Sequence, residues 1–309
     1  MVDGKLFFSP GKADDNLPYK ELKTPYYTGL PIGKYLSIIE LTNPMHKLWS
    51  DGFWNKLVLA HGCYWAKCTF CDTKLDYICR YDPDTAKNIV DKIENIIIQT
   101  GKRGFHFADE AAPPKLLKEV AEELIKRNVQ ISWWTNIRFE KAFSNELCFL
   151  LAKSGCIAMS GGLEVASERI LKLINKGVTI EQARNATRNM TNNGIMVHAY
   201  LMYGFPSQTE KETIDSLNVV RSMFEEGLLQ SAFWHKFTLT VHSDIYTKQN
   251  EFGIKVNKLL PFNFALNGVE HKDLSGINHE RFAKGLRVAV YNYMHGTGFD
   301  IPVKKWFAD

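Results

Sequence analysis

The chain has 309 residues, of which 45% are apolar and 12% aromatic, enough for one large domain or two modest ones. Its net charge of +4 is small for this length and no run of five Lys or Arg residues occurs, which argues against nucleic-acid binding. Residues 1–30 carry charges throughout, unlike a signal peptide, and no apolar stretch approaches the ~20 residues that cross a bilayer. We therefore expect a soluble, cytoplasmic protein that binds neither nucleic acid nor membrane.

Residues 1–55 carry scattered prolines and glycines, so we expect a lead-in that packs on a core. From residue 56 onward, a short apolar run, a turn and an amphipathic helix follow one another repeatedly. The apolar runs predict six strands, at residues 56–61, 104–108, 129–135, 157–163, 196–202 and 232–240. On the fifth, His198, Tyr200 and Met202 share one face, which is either the inside of a barrel or a helix-packed surface.

Helix boundaries follow from capping residues. Asp82 and Pro83 are predicted to open the first helix, and Gly101 to end it. The predicted N-caps of three later helices are Ser144, Thr179 and Thr209. A last helix is predicted at residues 278–295, followed by an anchor on the core at 302–307.

Strands that alternate with helices imply a parallel sheet with helices outside it. Six such units fall short of the eight in a complete barrel of ~250 residues. The sequence thus predicts an α/β fold, a partial (β/α)6 TIM-type barrel over residues 56–245. Residues 1–55 and 246–309 would be N- and C-terminal extensions, the second covering the barrel mouth. In such sheets functional sites lie at the carboxyl ends of the strands.

Three cysteines, Cys63, Cys68 and Cys71, stand together directly after the first predicted strand. In a chain of this size without an export signal, such a cluster indicates metal or redox chemistry. Three thiolates can hold three irons of a four-iron cluster and leave the fourth iron for another ligand. A site with four cysteines, zinc or iron–sulfur, stays open as an alternative if Cys79 folds back.

The cysteine loop and the strand–helix rhythm resemble the radical S-adenosylmethionine (radical SAM) superfamily. The usual loop of that superfamily has three residues between its first two cysteines and two between the last pair, whereas this chain has four and two. Phe70, an aromatic residue directly before the last cysteine, keeps the superfamily pattern, and the resemblance implies that it helps bind the cofactor. The extra residue, within 64–67, is expected to lengthen the first arch of the loop.

Later strand ends resemble the same superfamily, in the branch that includes cobalamin-associated members. The resemblance implies that Asp109 and Glu110 contact the methionyl ammonium of SAM, and that Arg138 meets its carboxylate through two parallel hydrogen bonds. It likewise implies ribose or methionyl contacts for Glu164, and a place beside the adenine for Gly204. Each segment also has an ordinary interpretation, as helix-terminal charges, a surface ion pair, close packing or a turn.

The resemblance implies a function. A [4Fe–4S] cluster on the three cysteines would bind SAM at its fourth iron. One-electron reduction would then cleave SAM to a 5′-deoxyadenosyl radical, which abstracts hydrogen from an unidentified small molecule or peptide. Such an enzyme is oxygen-sensitive and needs an electron donor such as flavodoxin or ferredoxin.

Two alternatives remain at this point. The first is a cobalamin-dependent methyltransferase, whose cobalamin domain would have to be lost or separate because the sequence has no Asp-x-His-x-x-Gly segment. The second is a non-catalytic module that binds zinc or an iron–sulfur cluster through four cysteines.

Overall fold

The computed structural model describes residues 16–35, 53–256 and 268–308. The strands are β1 (Asn55–Leu57), β2 (Ala60–His61), β3 (Asp82–Pro83), β4 (Gly104–Phe107), β5 (Ser132–Ile137), β6 (Cys156–Glu164), β7 (Met196–Tyr203), β8 (Ser231–Lys236), β9 (Leu239–Thr240), β10 (Ile254–Val256), β11 (Gly268–Val269) and β12 (His271–Asp273). The helices are α1 (Asp76–Cys79), α2 (Ala86–Thr100), α3 (Pro114–Lys126), α4 (Asn145–Lys153), α5 (Glu168–Leu173), α6 (Ile180–Asn192), α7 (Glu210–Glu225), α8 (Asp244–Thr247) and α9 (Glu280–Met294).

Six strands form one parallel sheet in the order β1, β4, β5, β6, β7, β8. Helices join the consecutive strands from β4 to β8, since parallel neighbours require a long crossover. Within the described ranges the outer strands β1 and β8 are not paired with each other, so the sheet stays open. The predicted α/β fold with a partial TIM-type barrel is confirmed.

Alternating side chains give the sheet two different faces. Val197, Ala199 and Leu201 of β7 lie in the main hydrophobic core, together with the buried faces of the helices. His198 and Tyr200 alternate with them and therefore point to the inner face of the barrel. The alternating residues of the fifth predicted strand thus share the inner face.

Most of the predicted helix starts are confirmed by hydrogen bonds at the caps. The Ser144 side chain accepts from the backbone of α4, and Thr179 and Thr209 form capping boxes at the starts of α6 and α7. The last predicted helix is α9, and residues Val303–Phe307 follow as a 3-10 helix with Val303 in the main core.

The helix that was predicted to begin at Asp82 and Pro83 is α2, and it does not include these two residues. These residues form β3, which pairs antiparallel with β2, and the helix begins at Ala86 with Thr85 as its N-cap. The predicted strand at 56–61 is likewise two strands. It divides because the amide of Leu59 donates to the Asp109 carboxylate instead of extending the sheet.

The third predicted strand begins later than expected, at Ser132. Asn128 has a left-handed φ of 54°, and the amide of Val129 donates back to the carbonyl of Leu124. Residues 128 and 129 therefore close the end of α3, and the strand can begin only after that turn.

Parts of both predicted extensions lie outside the described residues, including the segment 263–267 that we expected at the barrel mouth. In the described part, the Tyr19 hydroxyl donates to the carbonyl of Val58, and α9 packs on β8 and α7. The domain boundaries stay predictions. No helix in the described ranges is long and apolar enough to cross a membrane.

Candidate cofactor site

One cavity of about 290 Å³ lies at the carboxyl ends of the sheet strands. Its volume is at the lower end of the ~300–1,000 Å³ typical of small-ligand sites. The lining residues come from the cysteine loop and from the ends of β4, β5, β6 and β7. This is where parallel α/β sheets place their sites.

All three clustered cysteines line this cavity, and so does Phe70. The loop is held by backbone bonds: the Cys63 amide donates to the carbonyl of Ile78 over 3.0 Å, and the Cys71 amide to that of Cys68 over 3.2 Å. Cys79, at the end of α1, is exposed and lies outside the cavity lining. The described arrangement therefore brings together three thiols and leaves the fourth apart.

The cavity favours the thiolate form of Cys68. A hydrogen bond from the Cys71 thiol lowers the pKa of Cys68, and the cations of Lys176 and Arg138 lower it further against the effect of burial. The same hydrogen bond and burial raise the pKa of Cys71. Since thiolates are the form that binds metal, the cations around Cys68 suit a metal-bound sulfur.

Three thiols in one cavity are a donor set that can hold an iron–sulfur cluster. Among the described residues, no group of three Cys, His, Asp or Glu side chains is placed to hold one ion. In a [4Fe–4S] cluster each cysteine binds a different iron, so the three thiolates surround the cluster instead of converging on one point.

Arg138 is buried in the cavity wall with only 4% of its surface exposed. One terminal nitrogen donates to the carbonyl of Lys176 over 2.6 Å. Its Nε lies 3.5 Å from a Glu140 carboxylate oxygen but makes no hydrogen bond with any described residue. A buried guanidinium in the cavity wall suits a carboxylate ligand.

Glu164 and Lys176 form a buried ion pair at 2.7 Å in the same wall. Burial opposes the charge of Lys176, but Glu164 and Cys68 outweigh it and raise the lysine pKa. Glu164 has a left-handed φ of 57° at a break in the register between β6 and β7. A Cβ at Gly162 would stand 2.0 Å from the Glu164 carboxylate, so this glycine makes room for the pair.

The sequence model of the radical SAM superfamily matches residues 57–220, more than half of the chain. The chain belongs to the radical SAM superfamily. The match covers the cysteine loop and every strand end that contributes to the cavity.

Named relatives of this radical SAM chain are enzymes. It is 32% identical over 262 residues to the anaerobic magnesium-protoporphyrin IX monomethyl ester cyclase of Rubrivivax gelatinosus, covering 82% of this chain and 42% of the relative. It is 28% identical over 149 residues to the bacteriochlorophyllide d C-12(1)-methyltransferase of Chlorobaculum tepidum, covering 47% and 32%. The chain thus spans less than half the length of these relatives.

A solved structure shares the fold. The radical SAM methyltransferase TsrM from Kitasatospora setae, with cobalamin and a [4Fe–4S] cluster bound, superposes with a TM-score of 0.56 at 18% identity, over 67% of this chain and 42% of that one. This likeness shows that the two chains share a fold over the superposed region.

Asp109 and Glu110 occupy different places in this radical SAM site. Asp109 is 1% exposed, and its carboxylate accepts from the amides of Leu59 and Ala60. Burial raises the pKa of Asp109 to about 7, although those amides favour the charged form. Glu110 lines the cavity. Asp109 and Glu110 were predicted to act together, but they have different places. The Asp109 carboxylate shapes the end of the strand, whereas Glu110 lines the cavity.

Gly204, like Asp109, is a predicted site residue that lies outside the cavity lining. It has a left-handed φ of 76°, and a Cβ there would be 3.4 Å from the Cβ of His279. The next residue, Phe205, is fully buried in a second hydrophobic cluster with Phe237 and Phe252. In this structure Gly204 serves the turn after β7, and its predicted contact with adenine stays a prediction.

Lys176, Asn136 and Tyr200 are among the cavity-lining residues that were not predicted as site residues from the sequence. Lys176 follows α5, between Asn175 and Gly177. Asn136 lies two positions before Arg138, in the same strand end. Tyr200 was noted only for its alternation, because the strand pattern does not say which face is inside.

Proposed function

We propose that this chain is a radical SAM enzyme that generates a 5′-deoxyadenosyl radical and uses it to abstract hydrogen from a small-molecule substrate. The supporting observation is that Cys63, Cys68 and Cys71 share one cavity with the buried Arg138 guanidinium. The cysteine set alone is also compatible with a structural cluster. The Arg138 cation in the same cavity can bind a carboxylate, which favours SAM as the ligand.

The three thiolates would hold the [4Fe–4S] cluster, which when reduced supplies the electron that cleaves SAM. Arg138, which lines the same cavity, would bind the methionyl carboxylate. Glu110 would pair with the methionyl ammonium from the cavity wall. Through these contacts the protein would contribute the orientation of SAM and the exclusion of water.

Glu164 would accept a hydrogen bond from a ribose hydroxyl or the methionyl group. Its partner Lys176 fixes one carboxylate oxygen at 2.7 Å. Phe70, also in the lining, would pack against the nucleoside. Because the ion pair and the cysteines share the cavity, both halves of SAM can be held in one site.

We infer that the substrate lies on the inner face of β7 and β8. The ring of Tyr200, which lines the cavity, is 6.2 Å from that of His235, and His235 is 4.6 Å from Phe233. Phe233 is 50% exposed, while its strand neighbours are buried against the helices. An exposed aromatic surface suits a flat conjugated substrate. The two relatives described above are named for tetrapyrroles, so we propose that class.

The decisive experiment is anaerobic. Purified protein is reconstituted with iron and sulfide, reduced, and examined by EPR before and after SAM is added. We expect a cluster signal that changes with SAM, and its loss in Cys63→Ala, Cys68→Ala and Cys71→Ala. The matched control, Cys79→Ala, should keep the cluster. A colourless zinc protein, a signal indifferent to SAM, or cluster loss in Cys79→Ala would contradict the proposal. Reduction by flavodoxin or ferredoxin then tests the electron donor.

The substrate class has its own test. Zinc protoporphyrin IX is titrated into the protein and followed by its absorbance. Phe233→Ala should weaken binding, because one buried aromatic contact contributes about 0.5–1.5 kcal/mol beyond its area. Phe149→Ala, an equally large loss at a 61% exposed position of α4, should bind as the wild type does. Equal affinities of all three proteins would exclude the β8 surface.

Cobalamin-dependent methyl transfer is the second candidate, favoured by the Chlorobaculum tepidum relative, whose name is that of a methyltransferase. Hydroxocobalamin added to the reconstituted protein distinguishes the two functions. Co-purification of cobalamin and SAM-dependent formation of a methylated product would support this candidate. Formation of 5′-deoxyadenosine without cobalamin would support the first.

A further inference from the structure

The extra residue between Cys63 and Cys68 changes where the first arch of the cysteine loop leads. Ala66 has a left-handed φ of 45°, a conformation that residues other than glycine rarely adopt. Ala66 and Lys67 line the cavity, whereas Trp65 lies outside that lining. The four-residue arch thus turns one indole ring away from the cavity and towards the segment after α5.

Trp65 is inserted in a fitted slot on that segment. A Cβ at Gly177 would be 2.2 Å from the indole ring, so only glycine leaves room for it. The indole N–H donates to the carbonyl of Asn175 over 2.9 Å. Asn175 in turn donates from its side chain to the carbonyl of Lys67 over 3.0 Å, which holds the far side of the arch.

The Trp65 ring also packs against the guanidinium of Arg138. The central carbon of that group lies 4.3 Å from the centroid of Trp65, within the range of a cation–π contact. The neighbouring arch residue, Tyr64, donates its hydroxyl to Glu140 over 2.8 Å, and Glu140 lies beside the Arg138 Nε. Two side chains of the arch therefore fix Arg138 directly and through its acidic neighbour.

We propose that Trp65 is a positioning residue that holds the Arg138 guanidinium towards the methionyl carboxylate of SAM. Trp65 lies within the four-residue gap between Cys63 and Cys68. This inference rests on the proposed function, since it assigns a role in SAM binding. Trp65 lies outside the cavity lining and would act through Arg138, so we expect the cysteines to keep their places without it.

The test measures SAM affinity and cluster content separately. In Trp65→Ala, iron and sulfide content should stay at the wild-type level while the dissociation constant for SAM rises about tenfold, equivalent to ~1.4 kcal/mol. Trp65→Phe keeps a ring under the guanidinium and should bind SAM more tightly than Trp65→Ala. Tyr291→Ala, at a 57% exposed position on α9, is the matched control and should match the wild type.

A double-mutant cycle separates positioning from general loop stability. Because Trp65 acts through Arg138, Trp65→Ala/Arg138→Ala should bind SAM no more weakly than Arg138→Ala alone. Deleting Ala66 restores the three-residue gap. It should withdraw the indole ring from its slot and weaken SAM binding as Trp65→Ala does, with the cluster retained.

Three results would overturn the inference: unchanged SAM affinity in Trp65→Ala, additive losses in the double variant, or iron loss already in Trp65→Phe. A wild-type cluster that ignores SAM would overturn the proposed function and this inference together. A wild-type cluster that responds to SAM, combined with any of the three results, overturns the inference alone.

Discussion

The ends of β6 and β7 carry similar sequence signals but perform different tasks. Both have a glycine near the point where the strand ends, and both were expected to touch SAM. At the end of β6, Gly162 makes room for the Glu164–Lys176 pair in the cavity wall. At the end of β7, Gly204 forms a turn against His279, and Phe205 enters a hydrophobic cluster.

The two strand ends differ in the residues that come after each glycine. After Gly162 a break in strand register and a left-handed Glu164 turn a charged side chain inward. After Gly204 the chain continues with an aromatic residue that gains more by burial. A glycine at a strand end therefore indicates a functional site only when a charged side chain follows it and points into the cavity.

The largest expected effect comes from removing one member of the β6 ion pair. Lys176→Met leaves the Glu164 carboxylate buried without its partner, which should lower the free energy of unfolding by about 3–5 kcal/mol. Lys236→Met at the end of β8, the strand beside β7, is the matched control. Its pair with Glu280 is exposed, so the loss should stay below about 1 kcal/mol. Urea titrations of both variants measure the difference, and equal losses would contradict it.

A third strand end, that of β4, extends the comparison to pH. The pKa of Asp109 is raised to about 7 by burial, whereas the unfolded value is near 3.8. Between these values the folded state holds a proton that the unfolded state lacks. Stability should therefore fall as pH rises through this window, by up to ~1.4 kcal/mol per pH unit.

Asp109→Asn removes that titration while its side-chain oxygen can still accept from Leu59 and Ala60. We expect the variant to gain stability relative to the wild type as pH rises from about 4 to about 7. Unfolding by urea at several pH values measures both curves. Parallel curves for the two proteins would show that Asp109 does not titrate in this window.

The next effect concerns binding more than folding. A Cβ in Gly162→Ala would meet the Glu164 carboxylate at 2.0 Å and the Lys176 ammonium at 2.7 Å. Both are ends of flexible side chains, so the fold should tolerate the change while the pair moves. We expect SAM affinity to fall about tenfold, or ~1.4 kcal/mol. An EPR titration with SAM measures this affinity. An unchanged affinity would show that Glu164 does not contribute to SAM binding.

The smallest effect is expected at β7. Gly204→Ala meets only ordinary contacts, the nearest at 3.4 Å, but its φ of 76° is unfavourable for alanine. The cost should be about 1 kcal/mol of stability, as typical for a left-handed position. SAM affinity should stay at the wild-type value. A lower SAM affinity in this variant would instead support the contact between Gly204 and the adenine that the sequence resemblance implies.

Local sequence patterns predicted much of the fold and part of the site. Alternation of strands and helices indicated the parallel sheet, and the position of Arg138 after a strand placed it in the cavity wall. The place of Asp109 could not be predicted in the same way. A carboxylate after a strand can face a ligand or accept from neighbouring amides, and only the three-dimensional path of residues 58–60 decides which.

Contacts distant in sequence could not be predicted. Lys176 pairs with Glu164 across helix α5, and Trp65 meets Gly177 more than a hundred residues away. Neither partner carries a periodic signal, since each pair depends on how separate loops approach. The Thr85 cap was missed for a local reason. Asp82 and Pro83 have the sequence pattern of a helix start, but in the structure they pair with β2.

The anchoring of the cysteine loop has a consequence during synthesis. The Trp65 indole donates to a carbonyl 110 positions later, and the Thr240 hydroxyl donates to Asp72, 168 positions earlier in the chain. On the ribosome, the three cysteines therefore emerge long before the residues that give their loop its shape. Iron and sulfide delivered to the nascent chain would meet an unformed site, so we expect cluster insertion to follow release of the folded chain.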